Sequence, residues 1–366
     1  MSSEKILNNA LHAALLTILL LIPYVNSAPS IPEDLGQVNQ WFNSVVKPYT
    51  QRKGSLDPPL ETAEAATKVI KVRKDGSGDF NTIAKAIASV PSGNTKRTII
   101  WIGPGKYDEK ITIDRDKPFI TLYGSPNAVP TLSFNGTAAK YGTVDSATLI
   151  VMSDYFVAAN LIIANSAPMP DGQIVGAQAV ALRASGDKQA FYNCRILGYQ
   201  DTLCDDRGNH FFKNCYIEGT VDFIFGSGKS IYLGTELHVL GTEGLRVITA
   251  QARELTSEDQ GYSFVHCSIT GDGKGAYLGR AWKSRPLVVF AYTNMGSVVD
   301  PTGWSDNFHP DRDSLVFYGE YKGKGEGSNL SKRVPYTKVL SDNAAQPFIS
   351  LDFIKANTWL LPPPTL

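Results

Sequence analysis

Short apolar segments separated by turn residues fill the chain from about residue 98 onward. The segments that we predict as strands are Thr98–Ile102, Ile111–Ile113, Phe119–Tyr123, Ala147–Met152, Phe156–Ile163, Gln178–Arg183, Ala190–Ile196 and His210–Ile217. Several are almost continuously apolar, which is typical of parallel strands buried on both faces. Because the intervening segments are too short for crossover helices, the pattern predicts an all-β fold, a single-stranded parallel β-helix.

The segments on either side of these strands are predicted to cover the coils. Val69–Val72 is predicted as a strand, and Asp79 as the N-cap of a short helix that closes the open end of the stack. Four apolar residues fall on one face of that helix: Phe80, Ile83, Ala84 and Ile87. The tail from about Pro347 to Leu360 alternates aromatic and aliphatic residues, so we expect it to pack on the coils.

The first 27 residues have the pattern of a secretory signal peptide. A basic residue precedes an apolar run from about Leu11 to Ile22, and small residues stand before Ala28. The run is shorter than the roughly 20 residues of a membrane span, so we expect a soluble, secreted protein with no membrane contact. Residues 28–66 form a lead-in with an amphipathic stretch near Val38–Val46, and one domain is expected over residues 67–366.

A repeated string within the strand region carries the first chemical signal. Its two copies, 21 residues apart, comprise Asn193, Cys194, Ile196, Gly198 and Asp201, and Asn214, Cys215, Ile217, Gly219 and Asp222. Equal offsets suggest one coil of a stacked β-structure, in which equivalent residues of neighbouring strands lie about 4.8 Å apart. Two carboxylates at that spacing cannot both ionise freely, so the repeat predicts an acid beside an anion.

The charge composition excludes one class of partner, and the positions of the cysteines indicate their role. The 35 basic and 35 acidic side chains give a net charge of zero, so nucleic acid is not an expected partner. Three of the four cysteines, Cys194, Cys215 and Cys267, occupy the same place in an Asn/His-Cys-x-Ile-x-Gly unit, and Cys204 stands apart. We interpret them as small interior hydrophobes, with a disulfide as the alternative. Sequons at Asn135 and Asn329 predict a glycoprotein.

Several common active sites are absent from the sequence. No Gly-x-Ser-x-Gly elbow and no His-Glu-x-x-His or Cys-x-x-Cys spacing occurs, so neither a serine esterase of the α/β type nor a metal site is expected. The remaining candidate for an active site is a set of polar residues around the two aspartates. Gln200 precedes Asp201, Gln178 lies about one coil earlier, and Arg280 is a cation that favours ionised Asp222.

Longer strings around these residues are similar to a known family. The segments Gln178–Arg183, Gly198–Leu203, Asp222–Gly226 and Leu278–Trp282 resemble the signature blocks of plant pectin methylesterases, and Gly105–Glu109 resembles that family's first block. The resemblance runs from about Val69 to the C-terminus. It implies a right-handed parallel β-helix without cofactor or metal, a pectinesterase catalytic domain, and hydrolysis of methyl esters on galacturonate units of cell wall pectin (homogalacturonan).

The resemblance also implies residue roles. Asp222 would be the nucleophile, Asp201 the general acid and then base, and Gln178 with Gln200 the donors to the oxyanion. For substrate binding, it implies that Arg280 orients Asp222, that Trp282 stacks on a sugar ring, and that Thr143 contacts substrate. Ala281 departs from the family, which usually has proline there, and the lost constraint is expected to loosen the loop by a fraction of a kcal/mol.

The sequence also suggests how the protein is regulated, and it allows two other functions. About 40 residues separate the cleavage site from the first strand, too few for the helical pro-region of many plant relatives, so the chain resembles the pro-region-free branch. By analogy, a separate proteinaceous inhibitor is an expected partner of a monomeric enzyme. Two carboxylates near 5 Å also suit a β-helix polysaccharide hydrolase. The third hypothesis is a non-catalytic relative that binds pectin.

Overall fold

Twenty-seven short strands build the part of the chain that the computed structural model describes, residues 29–366. From the second strand onward the chain passes through three sheets in turn, and each strand pairs in parallel with its equivalents in the neighbouring coils. The predicted right-handed parallel β-helix is therefore confirmed. The predicted signal peptide, residues 1–27, lies outside the described residues.

The three sheets have eleven, eight and eight strands. Sheet 1 contains β1 (Lys68–Val72), β2 (Thr98–Ile102), β5 (Ile120–Gly124), β8 (Val157–Ala159), β11 (Gln189–Tyr192), β14 (Asn209–Lys213), β17 (Lys229–Leu233), β20 (Gly261–Val265), β23 (Leu287–Ala291), β26 (Phe317–Tyr321) and β27 (Thr337–Val339). Sheet 2 contains β3 (Lys106–Asp108), β6 (Thr131–Phe134), β9 (Ile162–Asn165), β12 (Arg195–Leu197), β15 (Tyr216–Gly219), β18 (Glu236–Val239), β21 (Ser268–Gly271) and β24 (Asn294–Met295). Sheet 3 contains β4 (Ile111–Ile113), β7 (Leu149–Val151), β10 (Leu182–Ala184), β13 (Leu203–Asp205), β16 (Ile224–Gly226), β19 (Arg246–Gln251), β22 (Ala276–Arg280) and β25 (Trp304–Ser305).

Short helices lie around this stack. The α-helices are α1 (Leu35–Val45), α2 (Pro58–Glu64), α3 (Ile83–Ala88), α4 (Ala138–Tyr141) and α5 (Asp342–Ala345). The 3₁₀ turns are Tyr49–Gln51, Val144–Ser146, Pro310–Arg312, Glu326–Ser328, Leu330–Lys332, Gln346–Phe348, Leu351–Ile354 and Ala356–Thr358. The lead-in and the tail cover sheet 1 together, because Phe42 of α1 stacks on Phe211 at 5.9 Å and buried Trp359 belongs to the same apolar cluster. The predicted packing of the tail on the coils is confirmed.

Helix α3 closes the first coils, but two details of its prediction are wrong. Its N-cap is Thr82, whose hydroxyl accepts from the Lys85 N–H, whereas Asp79 accepts from the Lys71 N–H at 2.7 Å. Phe80 forms a bridge to Val72 at the end of β1 instead of lying on the helix. The buried face is Ile83, Ala86 and Ile87, with Ala84 exposed. The bridge to β1 delays the start of the helix.

The interior is filled by ladders of equivalent side chains. Five stacked rings, 4.5 to 4.6 Å apart between centroids, run through sheet 1: Phe191, Phe212, Tyr232, Phe264 and Phe290. This spacing matches the distance between neighbouring strands. All four cysteines are buried and free, which confirms the interior-hydrophobe interpretation over a disulfide.

The corners between sheets 1 and 2 divide three of the predicted strands. The segments Phe156–Ile163, Ala190–Ile196 and His210–Ile217 were each expected as one strand, but each contains an asparagine with positive φ: Asn160, Asn193 and Asn214, at 57°, 52° and 53°. Asparagine adopts this left-handed conformation more readily than most residues. The chain turns there without glycine or proline, so the apolar run continues across the corner and hides it.

We expect replacement of Asn193 to separate conformation from hydrogen bonding at this corner. The Asn193 side chain donates to Asn160 Oδ1 at 3.2 Å, and Gly234 takes the equivalent place later in the chain with φ of 61°. Asn193→Ala should lower the free energy of unfolding by about 1–2 kcal/mol, and Asn193→Gly by less, because glycine accepts the positive φ. Urea denaturation of both variants measures this, and equal losses would contradict the conformational explanation.

Candidate active site

The two predicted aspartates occupy corners between sheets 2 and 3. Asp201 comes two residues before β13 and Asp222 two residues before β16, and both have positive φ, 64° and 49°. Positive φ in non-glycine residues costs free energy and is often found where function requires a fixed side chain. The repeat therefore contains two corners of a coil, one with asparagine and one with aspartate.

Register places the two carboxyl groups in neighbouring coils. β13 and β16 pair with Leu203 opposite Ile224, so the aspartates at equal offsets are equivalent, and the Asp201 N–H donates to the Val221 carbonyl at 3.0 Å. Both residues are buried, with 8% and 6% of their surface exposed. The predicted side-by-side arrangement of Asp201 and Asp222 is what the structure contains.

Arg280 binds only one member of the pair. Its Nε donates to Asp222 Oδ1 at 2.8 Å, and its Nη2 forms a second, short contact with Asp222 Oδ2. The arginine reaches Asp222 from β22, which is two strands away from β16 in sheet 3. This two-pronged geometry is the strong form of an arginine–carboxylate contact, and it holds one orientation of Asp222.

Burial raises the pKa of both carboxyl groups, and the neighbouring charges act differently on the two. Burial, followed by the charge of Asp222, raises the pKa of Asp201 well above its usual range, and Arg280 opposes this only weakly. Burial also raises the pKa of Asp222, although the hydrogen bonds and charge of Arg280 act in the opposite direction. Because Arg280 contacts Asp222 and not Asp201, its charge favours the negative charge of the pair on Asp222 and the proton on Asp201.

The two glutamines lie beside this pair with unused amide groups. Gln178 precedes β10, and the backbone N–H of its neighbour Ala179 donates to the Gln200 carbonyl at 3.2 Å, which joins the two segments. Both residues are partly exposed. Within residues 29–366 neither side-chain amide has a hydrogen-bond partner, so their N–H groups are available to a ligand.

Trp282 and Thr143 are each joined to a residue of the candidate site. Trp282 follows β22, is 50% exposed, and has the Arg280 guanidinium 4.9 Å from its ring centroid. Thr143 lies between α4 and the 3₁₀ turn at Val144–Ser146. This segment is joined to Gln178, because the Ala138 N–H donates to the Gln178 carbonyl at 2.8 Å. Both are therefore attached to residues of the central group.

The loop at Ala281 is held more firmly than the sequence suggests. The Ala281 N–H donates to the Ser305 carbonyl at 2.9 Å, a bond that proline, which lacks this N–H, cannot form. Arg312 also donates to the carbonyls of Ala281 and Trp282. These contacts offset the freedom that was expected from the loss of proline.

Sequence reasoning missed Asn307 and Arg312. Asn307 Oδ1 accepts from Arg280 Nη1 at 3.0 Å, and Arg312 anchors the Trp282 loop. Both lie in the long loop after β25, which has no counterpart in the repeat and no regular pattern. No signal in the sequence pointed to them.

The described part of the chain has no cluster of three or more His, Cys, Asp or Glu side chains placed to hold a metal ion. None of the helices within residues 29–366 is both long and apolar enough to cross a membrane.

Comparison with known protein families gives a consistent result. The sequence profile described as Pectinesterase matches residues 69–357. "Putative pectinesterase 63" of Arabidopsis thaliana is 58% identical over 356 residues, covering 96% of this chain and 97% of the relative. "Pectinesterase 1" of Olea europaea is 56% identical over 358 residues, covering 97% of each chain.

Solved structures with the same fold are also enzymes of this kind. The pectin methylesterase from carrot superposes with a TM-score of 0.73 at 31% identity, covering 80% of this chain and 94% of the other. A pectin methylesterase solved in complex with a hexasaccharide has a TM-score of 0.66 at 28% identity, covering 82% of this chain and 100% of the other.

Proposed function

Because the chain belongs to the pectinesterase family, we propose that it removes methyl esters from galacturonate units of pectin with Asp222 as its nucleophile. The enzyme is a pectinesterase, a carboxylic ester hydrolase that releases methanol and leaves de-esterified pectin. The observation that carries the assignment is the asymmetry of the buried aspartate pair. Arg280 binds Asp222, whereas the Asp201 carboxyl group has no protein hydrogen-bond partner within residues 29–366.

The first half of the reaction forms an acyl-enzyme. An oxygen of ionised Asp222 attacks the ester carbonyl carbon, and the side-chain N–H groups of Gln178 and Gln200 donate to the oxyanion that forms. Collapse of this intermediate breaks the bond to the methoxy oxygen. Asp201 gives its proton to that oxygen, so methanol leaves and Asp201 becomes a carboxylate.

The second half returns the enzyme to its starting state. Asp201 takes a proton from water, and the resulting hydroxide attacks the same carbonyl carbon of the acyl-enzyme. The bond to Asp222 breaks, Asp222 leaves as the carboxylate that Arg280 stabilises, and the galacturonate unit, now with a free carboxyl group, leaves the site as part of the polymer. The net reaction consumes one water and produces one methanol for each ester.

Assays on highly methylated pectin separate this function from the alternatives. The purified protein should release methanol without shortening the polymer, because the site has oxyanion donors that cleavage of a glycosidic bond does not need. New reducing ends would identify a polysaccharide hydrolase instead. Binding of pectin without release of methanol would identify a non-catalytic relative.

Removal of either glutamine amide should slow the chemical step. We expect Gln178→Ala and Gln200→Ala each to lower kcat about 10²- to 10³-fold with a smaller change in KM, because the oxyanion exists only near the transition state. Gln173→Ala is the matched control, since Gln173 is an exposed glutamine on the same segment as Gln178. Initial rates of methanol release measure all three variants, and a change confined to KM would contradict the oxyanion role.

The proposed function also suggests where the enzyme acts and which protein controls it. We propose that the enzyme is secreted to the cell wall after removal of residues 1–27, because this segment has signal-peptide character and the substrate is a wall polymer. N-terminal sequencing of secreted protein should begin near Ala28. We further propose a monomer that a proteinaceous inhibitor controls by covering the cleft at Trp282. Size-exclusion chromatography with and without such an inhibitor tests both statements.

A further inference from the structure

A highly exposed aromatic residue follows the asparagine that binds the active-site arginine. Phe308 has 96% of its surface exposed, more than any other large apolar side chain within residues 29–366. It directly follows Asn307, whose side chain accepts a hydrogen bond from Arg280 at 3.0 Å. Arg280 in turn contacts the Trp282 ring. One exposed aromatic residue, Trp282, thus contacts this guanidinium, and the other, Phe308, is the chain neighbour of a residue that binds it. No step of the proposed reaction uses Phe308.

The backbone holds Phe308 in this exposed position. Asn307 and Phe308 have consecutive positive φ angles of 59° and 60°, a conformation that is unfavourable for a bulky residue such as phenylalanine. Hydrogen bonds maintain it, because the Asn307 N–H donates to Ser305 Oγ at 3.1 Å and the Phe308 N–H donates to Asp306 Oδ1 at 3.0 Å. Residues held in such unfavourable backbone conformations cluster at active sites and ligand contacts.

The loop that carries Phe308 is acidic. Asp306, Asp311 and Asp313 lie close together, since burial and the charges of the other two raise the pKa of Asp313. Arg312, the only arginine or lysine between residues 306 and 313, directs Nη1 to the carbonyls of Ala281 and Trp282. The ring therefore sits in a surface that attracts apolar groups and repels anions.

We propose that Phe308 and its acidic loop bind a methyl-esterified galacturonate unit next to the unit that reacts, and discriminate against a free galacturonate there. This inference rests on the proposed function. A methyl ester is neutral and offers a methyl group and the C–H face of the sugar to the ring. A free galacturonate brings a carboxylate toward Asp306 and Asp311. The surface thus selects highly methylated stretches of the polymer.

Replacement of the ring tests the apolar contact. On highly methylated pectin, Phe308→Ala should raise KM about 3- to 10-fold and change kcat less than about twofold, because the contact forms in the ground state and transition state alike. Phe308→Trp should retain the wild-type KM. Leu35→Ala is the matched control, since Leu35 is a large exposed apolar residue on α1, outside sheet 1. An unchanged KM in Phe308→Ala overturns the proposal.

Replacement of a loop carboxylate tests the discrimination. Asp311→Asn should lower the ratio of kcat/KM on highly methylated over sparsely methylated pectin about 2- to 5-fold, and added salt should lower the wild-type ratio in the same direction. The Asp311 side chain is 77% exposed, so its replacement should leave the fold intact. A ratio that neither salt nor Asp311→Asn changes overturns the electrostatic part of the proposal.

A binding measurement separates this inference from the proposed reaction. In an Asp222→Asn background, calorimetry with a methylated oligogalacturonate should show weaker binding when Phe308 is also alanine, and the demethylated oligogalacturonate should bind more weakly than the methylated one. This result does not depend on turnover, so it decides the inference even if the chain releases no methanol. Equal binding of the two oligosaccharides overturns it.

Discussion

Asp222→Asn should lower kcat for methanol release by at least about 10⁴-fold. The amide oxygen is a poor nucleophile, and loss of the attacking group removes the covalent route altogether. The fold should survive, because asparagine is isosteric with aspartate and adopts positive φ readily, as Asn193 and Asn214 do at the other corners of the coils. Arg280 should keep its hydrogen bond to Asn307 in the variant, because Asn307 is not changed. Initial rates and far-UV circular dichroism measure the two effects separately.

A second isosteric substitution controls for the general effect of losing a carboxylate. Asp187 lies in a turn after β10, where its carboxylate accepts from the backbone and the side-chain amide of Asn209, both at 2.9 Å. Asp187→Asn keeps an acceptor oxygen there and should leave kcat unchanged within about twofold. If Asp222→Asn retained more than a tenth of the wild-type rate with an intact fold, the assignment of the nucleophile would be wrong.

Repetition is the reason why the aspartate pair could be predicted from the sequence. In a parallel stack, equal offsets along the chain become neighbouring positions in space, and two copies of one string suffice to place Asp201 beside Asp222. Arg280, which lies 58 residues after Asp222 and contacts it, is outside the repeat; it was a candidate cation, and the resemblance to a family implied that it orients Asp222. The interior position of the cysteines followed from the same repeat.

Features without a repeat were not predictable in this way. Strand limits were missed at Asn193 and Asn214, where a left-handed residue turns the chain but the inward-facing cysteine continues the apolar pattern. The cap of α3 was misplaced because Asp79 and Thr82 are both good N-cap residues, and only the bridge from Phe80 to Val72 decides between them. Asn307 depends on the path of a long irregular loop.

The raised pKa of Asp201 makes the stability of the folded enzyme depend on pH. Below about pH 3.8, the ordinary value, the carboxyl group is protonated in both the folded and the unfolded chain and makes no difference. Above that pH the unfolded chain releases the proton while the folded chain retains it, so folding becomes less favourable as the pH rises toward the folded pKa. Asp201 therefore destabilises the folded enzyme at neutral pH, in exchange for a proton donor.

Asp201→Asn should consequently inactivate the enzyme and stabilise it at the same time. We expect kcat to fall about 10²- to 10⁴-fold, since asparagine cannot transfer a proton to methanol or from water. The melting temperature at pH 7 should rise by about 2 °C for each kcal/mol gained, and the gain should vanish below pH 3.8.

The pH dependence of the wild-type kcat should be bell-shaped between about pH 4 and 9. Ionisation of Asp222 should limit kcat on the acid side and ionisation of Asp201 on the alkaline side, and the Asp201→Asn variant should lose the alkaline limb. A flat wild-type profile, or a variant that melts below the wild type at pH 7, would contradict the role of Asp201 as a buried proton carrier.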